Sequence, residues 1–160
     1  MKGYLLFAMV IGNFILQTTI FQYFRVAGIL LNTALLIVVT ISTIYGRKDG
    51  VTAGILAGLL QDLFFSKAIG INILIYASIG YIIGGIEDKI FKDNYITPSL
   101  LISCSTLYYH TLYFVLMYFL RYSIIYMDIL KSVVLVEMIY NLIVGIIFYR
   151  IFYRRVYFYR

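Results

Sequence analysis

Few side chains in this sequence could do chemistry, and those few lie inside apolar runs. Asp62, His110 and Glu137 are ionisable, and Asn13, Gln17 and Asn141 add amides. Ionisable groups within a membrane are costly and are functional suspects by default. Counted from the basic ends of their helices at 1.5 Å per residue, Asn13 lies roughly 15 Å deep, and Asp62 and His110 roughly 17 Å. Glu137 falls at a similar level. In one reading they form a polar network carrying a proton or solute. In the other they hydrogen-bond one another and fix a bundle. The second is favoured, because three ionisable groups do not fill a transport pathway. His110 alone reads as a satisfied core histidine. With one histidine and Cys104 the only cysteine, no zinc set can be assembled. There is no second histidine, nucleophile motif or P-loop. No catalytic residue, metal or cofactor is predicted.

The stretch that organises the chain is Asp49 to Asp62, in which Gly50, Gly54, Gly58 and Asp62 recur every four residues. On a helix they share one face. They draw a groove of bare backbone ending in a carboxylate, widened by Ala53 and Ala57. In water each such glycine costs a helix about 1 kcal/mol relative to alanine. In lipid the same pattern lets a second helix approach closely. A following run carries Tyr76, Gly80 and Gly84 on one i+4 line, after a turn at Gly70. Asp62 is expected to be a hydrogen-bond hub at the end of the glycine face. Asparagine should then replace it and leucine should not. Alternatively, its helix being short, Asp62 lies near the outer interface and pairs with Lys67 or Arg121.

The elements that must position these residues are membrane helices. The chain has 160 residues, 63% hydrophobic and 12% charged, with mean hydropathy +0.96. Soluble domains carry about 25% charged residues, so too little polar surface remains for a water-soluble particle. No connection is long enough for a soluble catalytic domain. The spacing predicts a single all-α membrane domain over residues 1–160, with six helices near 4–23, 26–45, 50–65, 71–86, 98–120 and 129–152. The first reads as a retained helix rather than a cleaved signal, since bulky Gln22-Tyr23-Phe24-Arg25 follows it. Gly46 to Asp49 reads as a tight polar turn, and Pro98 as a first-turn residue.

The net charge of +6 reflects topology and anionic lipid rather than nucleic acid. Six helices put both termini on one side, together with Lys2, Arg47, Lys48, Lys89, Lys92, Arg150, Arg154, Arg155 and Arg160. Arg25, Lys67, Arg121 and Lys131 fall on the other. Both termini are expected in the cytoplasm.

Gly50-x3-Gly54-x3-Gly58-Leu59-Leu60-Gln61-Asp62, then Gly70, then Tyr81 and Gly84, resembles the core of the MreD family of rod-shape-determining proteins. The resemblance covers essentially the whole chain in length and layout, and its specific part is roughly residues 46–85. It implies a non-enzymatic multi-pass subunit of the bacterial cell membrane, serving lateral cell-wall synthesis (the elongasome). The implied partners are a bitopic MreC-like protein, a SEDS glycosyltransferase with a class B transpeptidase, and, indirectly, an MreB-like cytoskeleton. It also implies a fold similar to the substrate-binding subunits of ECF vitamin transporters. Gly54, Gly58 and Asp62 carry over as fold or partner positions. The competing reading is such a transporter subunit itself, whose docking helix has small residues four apart, a spacing met here by Ala8 and Gly12.

Overall fold

The computed structural model describes residues 3–25, 28–66, 68–90, 92, 94–121 and 126–158, the last with backbone only at 126–133 and 157–158. Among them six α-helices follow in order: α1 (Gly3–Thr19), α2 (Thr33–Tyr45), α3 (Arg47–Phe65), α4 (Ile71–Gly85), α5 (Ile96–Phe119) and α6 (Tyr126–Phe158). Single turns of 3-10 helix lie at Phe21–Tyr23 and Glu87–Lys89.

The bundle is built around α2. Every residue from Thr33 to Ile44 is buried, and α2 packs against each of the other five helices. Its sequence explains this, since a helix that is apolar all round has no face for water. Its hydroxyls turn back onto the helix: Ser42 donates to the Val38 carbonyl at 2.6 Å and Thr43 to that of Val39 at 2.8 Å. The core joins Leu31, Leu35, Ile37, Val38 and Ile41 to Ile75, Tyr76 and Ile79 of α4 and Ile102 of α5.

Several boundaries differ from the sequence expectation, each for a local reason. Helix 2 starts at Thr33 rather than Val26, because the Asn32 side chain accepts the Leu35 N–H at 3.0 Å and caps the helix there. The expected turn at Gly46 to Asp49 shrinks to Gly46 alone, whose φ of +82° reverses the chain. Arg47, Lys48 and Asp49 form the first turn of α3, with Asp49 at the positive end of the helix dipole. Helix 5 starts at Ile96, with Pro98 in its first turn. Helix 6 runs on through the basic tail to Phe158.

Helix 1 together with the 3-10 turn after it, and helices 5 and 6, contain stretches long and apolar enough to cross a membrane, at Gly3–Tyr23, Ile96–Phe119 and Val134–Val156. The apolar helices α2 and α4 have 13 and 15 residues. At 1.5 Å per residue they reach only about 20 Å and about 22 Å, against a hydrocarbon thickness of about 30 Å.

Candidate functional site

The glycine face of α3 lies directly on the backbone of α4. A β-carbon on Gly54 would fall within 3.0 Å of the Tyr76 carbonyl, and one on Gly58 within 3.0 Å of the Ile73 backbone. The contact is reciprocal. A β-carbon on Gly80 would meet the backbone of Gly50, and one on Gly84 that of Arg47. Two antiparallel helices thus interlock without side chains between them along about three turns, the close approach that small residues at i, i+4 spacing permit. Gly50 additionally faces the Ser42 hydroxyl of α2.

Asp62 stands where this interlock ends, 1% exposed. Its carboxylate caps the start of α4. Oδ2 accepts the N–H groups of Gly70 at 2.8 Å and Ile73 at 3.2 Å. Oδ1 accepts the Asn72 N–H at 3.1 Å and the Asn72 side-chain amide at 2.9 Å. Four donors converge on one acceptor-only group at the positive end of a helix dipole. Gly70, with φ of +103°, bends the chain so that its own N–H joins the set. The pairing with Lys67 expected as one alternative lies outside the described residues. Arg121 is not among the partners of Asp62, whose oxygens are occupied by α4.

From Asp62 the hydrogen bonds spread through Asn72, which donates to Ser66 at 2.6 Å and accepts from the Tyr109 hydroxyl at 2.8 Å. Tyr109 stacks on Tyr76 with ring centroids 5.3 Å apart. The Tyr76 hydroxyl donates to the Asn32 side chain at 2.9 Å. Asn141 of α6 accepts the Asn32 N–H at 3.2 Å and donates to Thr106 at 3.2 Å and Glu137 at 3.4 Å. Glu137 meets His110 Nε2 at 2.9 Å. A separate set links Gln17 to Thr33 at 3.0 Å and to Gln61 at 2.8 Å.

The structure thus brings His110, Glu137 and Asn141 together and sets Asp62 apart. The two clusters are bridged by the stacked Tyr76 and Tyr109 rather than by direct contact. Asn13 is 7% exposed and lines a crevice with Gln17 and Gln61 that has no room for a water molecule. It enters neither cluster. The sequence reading passed over Asn72, Tyr109 and the capping role of Asn32. For Asn32 the signal was position: it directly precedes the first turn of an apolar helix, where Asn is a favoured cap.

Chemically, the site matches donors to acceptors. Among the described residues no buried side-chain nitrogen or oxygen lacks a partner, and no group of three His, Cys, Asp or Glu could hold a metal. The first N–H groups of a helix have no intrahelical partner. Asn32 and Asp62 accept such groups at the starts of the two shortest helices.

This fold and this site define an all-helical integral membrane protein whose buried polar groups serve one another. Its family follows from the sequence as a whole. The family described as rod shape-determining protein MreD matches residues 2–158, and the chain belongs to it. No curated protein and no solved structure matches the chain.

Proposed function

We propose that this protein is a non-enzymatic scaffold subunit of the lateral cell-wall synthesis machinery in the bacterial cell membrane. It holds a bitopic MreC-like protein on a lateral surface, within an assembly that includes a SEDS glycosyltransferase and a class B transpeptidase. The MreB-like cytoskeleton is reached indirectly. The family match supports involvement in rod shape. The observation that carries the scaffold reading is the use of the buried polar groups: they cap helices and join helices, and Asp62 offers no oxygen to a solute. The vitamin-transporter alternative draws no support from the family match. Depletion, with microscopy and co-purification from native membranes, tests the proposal. Rod cells should round up, and an MreC-like protein should be recovered with the tagged chain. Unchanged shape with loss of vitamin uptake would favour the transporter.

All six helices are placed across the membrane in this reading, the shorter ones through capped ends, with both termini cytoplasmic. Several basic residues gather at one end of the bundle, where Arg47 lies 4.4 Å over the Tyr81 ring and Tyr149 donates to the Lys92 carbonyl. That clustering supports the orientation. In a Cys104→Ser background, Lys48→Cys should be labelled only after the inner face is opened, and Arg121→Cys from outside on intact cells. The reverse pattern would invert the topology.

A further inference from the structure

A cavity of about 360 Å³ opens between the start of α5 and the last turns of α6, lined by Lys92, Asn94, Tyr95, Tyr149, Arg150 and Arg154 among others. We propose that it holds the phosphodiester headgroup of an anionic phospholipid, with the acyl chains lying along α6.

Three features meet there. The first is charge without a partner. Arg150 and Arg154 are one turn apart on the same side of α6. Arg150 is held by the Tyr95 ring, 4.7 Å below its guanidinium. Among the described residues neither arginine has a carboxylate within 4.0 Å, whereas Lys92 is paired with Glu87. Two guanidinium groups, forks suited to phosphate oxygens, are thus left for an anion. The second is the first turn of α5, where Pro98 lines the cavity and the helix dipole is positive. The third separates a lipid from a soluble anion. Ile143, Ile147, Arg150 and Arg154 follow i, i+4, i+7 and i+11 along one stripe of α6. Ile143 is 56% and Ile147 57% exposed. The stripe runs from open apolar surface into paired cations, which is the polarity of a phospholipid from chain to head. Among the described residues, no acidic side chain lines the cavity to receive a choline or ethanolamine cation.

The test uses the full-length chain in detergent, with lipid binding read by native mass spectrometry. Phosphatidylglycerol is compared with phosphatidylcholine of the same chains, and inorganic phosphate serves as competitor. Phosphatidylglycerol should bind at least about tenfold more tightly than phosphatidylcholine, and Arg150→Gln/Arg154→Gln should erase at least about tenfold of that affinity. Lys48→Gln/Lys89→Gln removes two charges from exposed positions elsewhere and should stay within about twofold of the parent. Equal binding of the two lipids by the unaltered protein would overturn the proposal, whatever the variants do. Equal losses in the two double variants would also overturn it, leaving only diffuse surface charge. Inorganic phosphate competing at the same concentration as the lipid would make this a site for a soluble anion instead.

Discussion

Asp62→Asn and Asp62→Leu should both lower the amount of folded protein in the membrane, leucine to near nothing and asparagine to a minor fraction. The asparagine result is the informative one. From the sequence, an amide keeps the size and one acceptor and so should serve. The geometry says otherwise, because all four partners of the Asp62 carboxylate are N–H donors, two on each oxygen. An amide replaces one oxygen with an NH2 group that points donors at donors. It orphans two of the four, at about 1–3 kcal/mol each. Leucine orphans all four around a side chain that is 1% exposed. The measurement is membrane abundance and the thermal midpoint of the purified chain, followed by complementation normalised to abundance. An asparagine variant as abundant and as stable as the parent would show that the cap does not hold the α3–α4 hairpin. If that stable variant were also inactive, proton or ion exchange at Asp62 would become the better explanation of its role.

Gly54→Ala and Gly58→Ala should each clearly destabilise the protein. The reason is distance: the β-carbon itself falls within 3.0 Å of α4 backbone atoms, and backbone cannot rotate aside as a side chain can. Overpacking of well-filled sites costs about 1–3 kcal/mol, and here the whole of α4 must shift to relieve it. Gly12→Ala is the matched control, since nothing lies within 4 Å of its β-carbon position. It should be neutral or slightly stabilising, as alanine favours helix by about 1 kcal/mol over glycine. Normal abundance and melting of Gly54→Ala would mean that α3 and α4 stand further apart than described.

What could be read in the chain beforehand was whatever repeats with the helical period. The glycines at 50, 54 and 58 announced a bare face because i and i+4 always coincide. The complementary line through Gly80 and Gly84 was visible for the same reason. That the two faces meet each other was not, since periodicity shows a face and never its neighbour. His110, Glu137 and Asn141 stood out as polar types in apolar surroundings, and they do converge. Asp62 stood out equally but joins them only through Asn72, Tyr109, Tyr76 and Asn32, a path between helices that no periodicity within one helix reveals. Asn32 and Asn72 both fell inside expected helical spans, so neither was read as marking a helix start. The late start of α2 was hidden too: continuous hydropathy does not mark where an apolar run becomes helical. The centrality of α2 was legible in principle, from its lack of any polar face.

Among the six helices described, that central one is the second to leave the ribosome. Of the five neighbours that enclose α2, only α1 precedes it from the ribosome. For most of translation the future middle of the protein therefore stands without its walls. A polar interior helix would then have to be shielded while it waited. An all-round apolar one does not, because a hydrocarbon chain is as good a neighbour as a leucine side chain. The hydroxyls of Ser42 and Thr43, turned onto their own helix, need no later partner either. The fold can thus be laid down from its centre outwards in the order in which the chain emerges, with the α3–α4 clasp closing first and α5 and α6 completing the wall.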